Sequence, residues 1–183
     1  MFPEPEEELI EDPFWQHSLD IEERKVYFFD EVTTESTLRC VKSLAFLDKT
    51  EGKITLMINS DGGNIIDGWA IVDFIKNMKN EVHGMVYGGA CSMASVILQA
   101  CKTRTMSRHS IMLIHSGSAT LDGEMNSIFA NSDYLKRDLE KTMDFYRARA
   151  KISHKKMKEF MSTDTLLDAS EALRYGFIDM VLE

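Results

Sequence analysis

The chain has 183 residues, of which 44% are hydrophobic and 28% are charged, values typical of a globular protein with one hydrophobic core. The formal net charge is −9, but the first 20 residues hold seven acidic side chains and no Lys or Arg, whereas the remainder carries 21 basic and 23 acidic side chains. No basic patch favours a nucleic acid as a partner, and no segment approaches the roughly 18–20 apolar residues that span a bilayer. We therefore expect one domain that binds neither nucleic acid nor membrane.

Residues 1–17 form a predicted acidic N-terminal arm ahead of a single domain over residues 18–183. All three prolines and six of the acidic side chains fall within the first 13 positions. Such a composition buries too little apolar surface to offset the entropy of ordering, so we expect a solvated arm that could order against a partner.

The cysteines and the first residues of the chain indicate the cellular compartment in which we expect the protein. Cys40, Cys91 and Cys101 are odd in number and have no Cys-x-x-Cys spacing, which favours a reducing environment and no structural zinc. The first residues also lack the basic and apolar stretches of a secretory signal. We therefore expect a cytoplasmic protein without a bound metal.

Segments with strand character and segments with helix character alternate along the chain, which predicts an α/β fold with a mainly parallel sheet. In the helix after Gly62 and Gly63, apolar residues recur four apart and are expected to face the core; they are Ile66, Ala70, Phe74 and Met78. The predicted strands cover residues 25–29, 53–59, 82–87, 110–115 and 177–182. The predicted helices begin near residues 34, 64, 92, 124, 153 and 169.

The helical pattern over residues 124–151 is unusually long. At ~1.5 Å per residue such a helix would extend roughly 40 Å, more than a compact domain of this size needs. We therefore expect part of it to project and to meet another subunit.

A strand that runs into Gly88 and Gly89 is followed by Ser92 and then by a helix of small residues. Glycine permits a sharp turn, and the unpaired N–H groups at a helix start could hold the oxyanion that forms when a serine attacks a carbonyl. A plain N-cap role for Ser92 is the competing interpretation, and it is the commoner one at such a junction.

A serine nucleophile needs a base and a carboxylate that orients the base. His115 ends an apolar strand 23 residues after Ser92, and Asp164 lies ahead of the last helix. The competing interpretations are a core histidine for His115 and a turn or cap residue for Asp164. Their order along the chain favours the catalytic interpretation.

Four ordered blocks carry a family resemblance that extends from about residue 18 to residue 182. They are MINSDGG at residues 57–63, GGACSMA at residues 88–94, IMLIH at residues 111–115 and SEALRYGFID at residues 170–179. These blocks resemble the proteolytic subunit of the Clp protease, a serine peptidase. The resemblance implies a ClpP/crotonase-like α/β fold of repeated ββα units with a mainly parallel sheet, plus a projecting long helix. It further implies a head of about residues 18–115 and 162–183 and a handle of about residues 116–161.

The resemblance also implies roles for individual residues. Ser92 is expected to be the nucleophile, His115 the general base and Asp164 the orienting carboxylate. The backbone N–H groups of Gly63 and Met93 are expected to form the oxyanion hole. The expected substrate-binding residues are Gly62, Ile65, Ser116, Gly117 and Ser118, and no metal is expected.

The partners implied by the resemblance are other copies of the chain, in two stacked heptameric rings, and an AAA+ unfoldase. The unfoldase would consume ATP and deliver unfolded polypeptide, so this subunit itself is expected to need no cofactor. Positions that loosely resemble the unfoldase-docking pocket are Met57, Met85, Tyr87 and Leu182. The acidic arm would lie at the entrance of the ring and repel acidic polypeptides.

The chain departs from the family pattern at several places, including a segment between Ser92 and His115 that is about two residues shorter than is typical and an N-terminal region that is short and acidic. Asp61 stands where the family usually has proline, and residues 116–119 (Ser-Gly-Ser-Ala) replace a Gln-Pro-containing segment. Two alternatives stay open at this point. One is a crotonase-type acyl-CoA enzyme that would use the N–H groups of Gly63 and Met93 without Ser92 as a nucleophile; the other is a non-catalytic ring or scaffold subunit.

Overall fold

The computed structural model describes residues 18–183, so the predicted arm of residues 1–17 lies outside the described residues. One eight-stranded sheet and six helices account for this part of the chain. The strands are β1 (Leu19–Asp20), β2 (Lys25–Phe28), β3 (Ile54–Ser60), β4 (Val82–Cys91), β5 (Arg104–Ser107), β6 (Ile111–Ile114), β7 (Thr165–Asp168) and β8 (Met180–Leu182). The helices are α1 (Thr34–Leu47), α2 (Ile65–Asn77), α3 (Met93–Ala100), α4 (Met125–Arg147), α5 (His154–Ser162) and α6 (Ala169–Tyr175).

The sheet is mainly parallel, as the alternation of strands and helices predicts. Its main path runs β1-β2-β3-β4-β5-β8, in which only the pairing of β1 with β2 is antiparallel. Strand β6 lies off this path, where it pairs with β4 in parallel and with β7 in antiparallel orientation. The predicted α/β class is therefore confirmed.

Strand β4 changes its pairing partner along its length, and this change positions the residues of the candidate site. Its first half pairs with β5 over Gly84 to Val86, whereas its last three residues pair with β6. Gly88 has a φ of 85° at the point of divergence, a conformation that favours glycine. A Cβ there would lie 2.3 Å from the side-chain oxygen of Asn59, so both backbone and space require glycine. The bend carries the end of β4 to the end of β6.

Local helix signals are mostly as predicted. In α6, the Asp168 carboxylate accepts a hydrogen bond from the Glu171 N–H at 2.7 Å, and the Glu171 side chain accepts one from the Asp168 N–H at 3.3 Å. These two bonds form a capping box, which the Asp-x-x-Glu spacing of residues 168–171 indicates. Gly176 ends the helix with a φ of 78°, as the sequence also indicates.

The predicted core face of α2 is correct in its second half, where Phe74 and Met78 pack half-buried against the core, and wrong in its first half. Ile66 is 68% exposed and Ala70 is exposed, whereas the buried face comprises Gly68, Trp69, Ile71, Val72 and Ile75. Apolar residues occupy most of the circumference of this helix, so spacing alone does not determine which face packs inward. Packing on α3 decides it, because a Cβ on Gly68 would lie 2.1 Å from the Met93 side chain.

Three strands of residues 18–183 have no counterpart among the predicted strands, namely β1, β5 and β7. In β5 the side chain of Arg104 is only 3% exposed, and it is balanced by Asp179, 75 residues later in the chain. A local hydropathy pattern cannot show that a buried Arg has such a remote partner. Strand β7 pairs antiparallel with β6, so this edge of the sheet is closed by chain that returns from α5.

Helix α4 has 23 residues and extends about 35 Å at ~1.5 Å per residue. It ends at Arg147 instead of residue 151, because the chain turns at Ala148 to begin the approach to α5. Its buried residues are Asp138, Met143 and Tyr146, so no residue of the segment 125–137 is buried. No helix within residues 18–183 combines the length and the apolar character that crossing a membrane requires.

Candidate active site

Ser92 occupies a strained turn between β4 and α3. Its φ of 51° and ψ of −123° lie outside the regions that non-glycine residues ordinarily adopt. Such strain persists only where surrounding contacts determine the conformation. Here the Ser92 N–H donates to the Leu113 carbonyl at 2.9 Å, and the Ser92 carbonyl accepts from both the N–H and the hydroxyl of Ser95, at 3.0 and 2.6 Å. The turn resembles a nucleophile elbow, which presents a side chain at the end of a sheet.

The hydroxyl of Ser92 faces His115. The Ser92 Oγ lies 2.8 Å from His115 Nε2, and the Ser92 side chain makes no capping hydrogen bond to α3. Ser92 therefore occupies the N-cap position of α3 without the capping hydrogen bond that a plain N-cap role requires. Parallel pairing of Cys91 with Leu113 explains the approach, because it brings the residues that follow both strands side by side.

Asp164 completes the arrangement through the pairing of β6 with β7. Because Ile114 lies opposite Thr165 in this antiparallel pair, His115 and Asp164 emerge next to each other at its end. His115 Nδ1 is 3.2 Å from Asp164 Oδ1. The Asp164 side chain is 81% exposed, in contrast to 25% for His115. The structure thus brings the three predicted triad residues together, with the carboxylate on the solvent side.

The predicted oxyanion donors lie beside the same turn. A Cβ on Gly62 would lie 2.7 Å from the Ser92 Cβ and 2.9 Å from the Met93 nitrogen, so this glycine turn packs directly on the serine turn. Val32 bonds to the Gly62 carbonyl and to the Asn64 N–H, which leaves the N–H of Gly63 outside this pairing. The Met93 N–H lies in the first turn of α3, where N–H groups have no partner within the helix.

A cleft of about 270 Å³ opens beside Ser92 and His115. Four of the five predicted substrate-binding residues line it, namely Ile65, Ser116, Gly117 and Ser118, together with Met93. Gly62 does not line the cleft, and its contact with the serine turn explains its position instead. Residues 115–122 belong to no strand, so a role in pairing with a substrate backbone stays a prediction.

Sequence reasoning missed the polar support beneath the serine. Ser95 Oγ lies 2.5 Å from the hydroxyl of Tyr146, which is 2% exposed, and 3.3 Å from the Leu113 carbonyl. Because the Ser95 hydroxyl donates its one proton to a carbonyl, the Tyr146 hydroxyl is the donor to Ser95. Burial raises the pKa of Tyr146 well above its usual range, so its hydroxyl keeps its proton at neutral pH. No local motif connects residues 51 positions apart.

Two other reactive side chains, Cys91 and His83, take no part in the contacts among Ser92, His115 and Asp164. Cys91 precedes Ser92, but burial and the adjacent Asp61 raise the pKa of the Cys91 thiol, so it stays protonated at neutral pH. His83 lies at the start of β4, the end opposite Ser92, where its Nδ1 is 2.6 Å from Thr103 Oγ1. Within residues 18–183, no three His, Cys, Asp or Glu side chains converge as metal ligands would.

Fold and site together have the arrangement of a serine hydrolase, with a strained serine at a strand–helix junction, a histidine on its hydroxyl and a carboxylate on that histidine. The family model described as Clp protease matches residues 15–183 of this chain. The chain therefore belongs to the Clp protease family.

Curated relatives agree with the family match over most of the chain. An ATP-dependent Clp protease proteolytic subunit 1 of Prochlorococcus marinus is 30% identical, covering 89% of this chain and 86% of the relative. A proteolytic subunit 2 of Synechococcus sp. is also 30% identical, covering 89% and 85%. A proteolytic subunit 1 of Chlamydia muridarum is 28% identical, covering 88% of each chain.

Proposed function

We propose that this chain is a serine-type endopeptidase, the proteolytic subunit of an ATP-dependent Clp protease. The observation that carries the proposal is the continuous set of contacts from Ser92 Oγ to His115 Nε2, and from His115 Nδ1 to Asp164 Oδ1. A crotonase-type acyl-CoA enzyme would need only the two N–H groups near the turn. It would have no use for a strained serine that contacts a histidine.

The proposed reaction passes through an acyl-enzyme. As Ser92 Oγ bonds to the carbonyl carbon of the scissile peptide, its proton moves to His115 Nε2. The carbonyl oxygen becomes an oxyanion, which the N–H groups of Gly63 and Met93 stabilise. The C–N bond then breaks, and His115 gives the proton to the leaving amine.

Deacylation repeats these steps with water. A water oxygen bonds to the acyl carbon and loses its proton to His115, and the Ser92 ester bond breaks as Ser92 regains that proton. Throughout, Asp164 holds the Nδ1–H tautomer of His115, so that Nε2 faces the serine. Each removed oxyanion donor would cost roughly 2.7–4 kcal/mol of the barrier.

The assembly is part of the proposal. The relatives are named as subunits of an ATP-dependent protease, which supports self-assembly and a partner ATPase for this chain as well. We propose two stacked heptameric rings, contacts between rings through the handle that contains α4, and an AAA+ unfoldase that delivers unfolded polypeptide. The three cysteines are all buried and unpaired, which supports a reducing compartment such as the cytoplasm.

Peptide hydrolysis by the purified chain tests this function. Wild type should cleave a mixed panel of fluorogenic peptides, and Ser92→Ala should reduce kcat/KM at least about 10³-fold while peptide binding persists. The matched control is Ser132→Ala, because Ser132 lines the same cleft without contacting the histidine. Equal hydrolysis by wild type and Ser92→Ala would contradict the proposal, and turnover of an acyl-CoA without peptidase activity would favour the crotonase alternative. Ring formation without any hydrolysis would favour the scaffold alternative.

A further inference from the structure

The cleft beside Ser92 has a size and lining suited to one long side chain. Its volume of about 270 Å³ falls just below the roughly 300–1,000 Å³ of sites for drug-sized ligands. Most of its wall is apolar and comes from α2, α3, α4 and α5; these residues are Ile65, Val96, Leu135, Leu139 and Met161. An aliphatic stem would be covered on several sides, with Ser92 and His115 at one end of the same cleft.

One buried carboxylate interrupts this apolar wall. Asp138 lines the cleft from α4 and is 9% exposed. Its Oδ1 accepts a hydrogen bond from Trp69 Nε1 at 3.0 Å, and no other hydrogen bond or ion pair within residues 18–183 reaches the carboxylate. A buried carboxylate with a single neutral donor is incompletely compensated, so a cationic donor that reaches it gains a charge-assisted hydrogen bond.

The second carboxylate oxygen of Asp138 is accessible. Thr37 Oγ1 is the one fully buried side-chain N or O atom without a partner within residues 18–183, so the free oxygen of Asp138 is not sealed in the core. Because Asp138 is one of the residues that line the cleft, a substrate side chain that enters the cleft would lie against this residue.

The neighbouring lysines do not neutralise Asp138 by direct contact. Lys136 Nζ lies 3.3 Å from Asp133, and the Lys136 side chain is 73% exposed, so its charge is at the surface. Lys141 Nζ lies 3.6 Å from the centre of the Trp69 ring and does not line the cleft. Lys136 also lines the cleft, but its ammonium group pairs with Asp133, so within residues 18–183 Asp138 is the one acidic residue of the cleft lining and has no basic partner.

We propose that this cleft is the specificity pocket of the peptidase, and that it selects substrates with a basic side chain, Lys or Arg, on the acyl side of the scissile bond. The stem of such a side chain would pack on the apolar wall while its cationic end binds Asp138. This inference rests on the proposed function. It makes Asp138 a specificity-determining residue and leaves the chemistry to Ser92 and His115.

Isosteric peptide pairs test the pocket. One pair carries Lys or norleucine before the cleaved bond, and the other carries Arg or citrulline, so each pair differs in charge at nearly constant shape. Wild type should prefer Lys over norleucine at least about tenfold in kcat/KM. Asp138→Asn keeps an oxygen for Trp69, so it should abolish this preference while norleucine peptides are still cleaved. Asp144→Asn is the control, because Asp144 lies on the same helix, is 69% exposed and is outside the cleft.

The outcomes separate this inference from the proposed function. Equal rates within both peptide pairs, or an undiminished preference for the charged peptide of a pair in Asp138→Asn, would overturn the pocket assignment and leave the peptidase intact. A second outcome is no preference between Lys and norleucine together with a preference for Arg over citrulline. If Asp138→Asn removes that Arg preference, the pocket is restricted to arginine and the pocket assignment is supported. If no peptide is cleaved and a serine-directed probe does not react at Ser92, the proposed function fails and this inference fails with it.

Discussion

Contacts within the chain fix the conformation of the turn that holds Ser92, but they cover much less of the outer part of the handle, residues 116–137. Around Ser92, helix α3 is buried at every residue, and hydrogen bonds from both sides fix a strained backbone. In residues 116–137, by contrast, no side chain is buried and large apolar side chains such as Met125 and Phe129 are 63% and 59% exposed. The proposed chemistry therefore depends on contacts within one chain, whereas residues 116–137 carry apolar surface that residues 18–183 do not cover.

This contrast separates two kinds of substitution. Changes at the Ser92 turn and its supports should alter activity or stability of the single chain, because they remove contacts already made. Changes in the outer handle should leave the single chain nearly unaffected, because no folded contact is lost. The following experiments test that separation, in order of decreasing expected effect.

The largest loss of activity is expected for substitutions in the triad, and the loss should be greater at His115 than at Asp164. His115→Ala removes the base that contacts Ser92 and should lower kcat/KM at least about 10³-fold. Asp164→Asn should cost less, roughly 10- to 100-fold, because the carboxylate is 81% exposed and its 3.2 Å contact competes with water. Steady-state peptide hydrolysis measures both. An Asp164→Asn variant as inactive as His115→Ala would show that the exposed carboxylate is more important than its geometry indicates.

The second effect concerns stability and its pH dependence. Burial tends to raise the pKa of Asp179, but hydrogen bonds from Arg104 outweigh it and hold that pKa below its usual range. A carboxylate whose pKa is lower in the folded state adds stability at neutral pH, and this stability is lost as the pH falls below about 4. Asp179→Asn leaves the buried Arg104 without an anionic partner and should lower the free energy of unfolding by about 3 kcal/mol at pH 7.

Urea unfolding at pH 7 and pH 3 checks this expectation. The difference between wild type and Asp179→Asn should be large at pH 7 and should shrink at pH 3, where the wild-type carboxyl is more protonated. Asp144→Asn is the control, because its exposed ion pair with Arg147 should contribute little at either pH. An equal difference at both pH values would mean that the charge of Asp179 is not what stabilises this region.

The third effect tests the support of the serine turn. Tyr146→Phe removes one hydroxyl that bonds to Ser95, which in turn bonds to the Ser92 carbonyl. We expect kcat to fall about tenfold with little change in KM, because the turn loses its alignment while the cleft keeps its shape. Tyr134→Phe on the same helix is the control, since Tyr134 is 43% exposed. A rise in KM at constant kcat would instead assign Tyr146 to substrate binding.

The smallest effect belongs to the outer handle. Phe129→Ser should change the free energy of unfolding of the single chain by less than about 0.5 kcal/mol, because the side chain is already exposed. Met143→Ala on the same helix should cost about 2–5 kcal/mol, because Met143 is 1% exposed. Chemical denaturation under conditions that dissociate any assembly makes this comparison. A large loss in Phe129→Ser would contradict the view that the single chain leaves this segment uncovered.

The sequence allowed prediction of those features whose causes are local. The glycines before Ser92, the apolar strand before His115 and the capping box at Asp168 are short signals with a direct backbone meaning. Asp164 could be placed only by counting back from the later motif at Tyr175 and Gly176, whereas the pairing of Ile114 with Thr165 explains why Asp164 lies beside His115. These features sufficed for the fold class and for the residues brought together at the site.

Features that depend on remote partners could not be predicted. The buried face of α2 depends on where the Met93 side chain packs, and spacing alone selected Ile66, which is exposed. The bonds of Tyr146 to Ser95 and of Trp69 to Asp138 join residues 51 and 69 positions apart. Hydropathy patterns along one segment contain no information about such pairs, because the partner lies on another element.

Labelling with a fluorophosphonate, followed by peptide mapping of the modified serine, tests the central claim most directly. The account predicts a single modified residue, Ser92, because only its hydroxyl contacts His115 within residues 18–183. His115→Ala should lose the labelling while Ser132→Ala keeps it. Labelling at another serine that persists in Ser92→Ala would contradict the account.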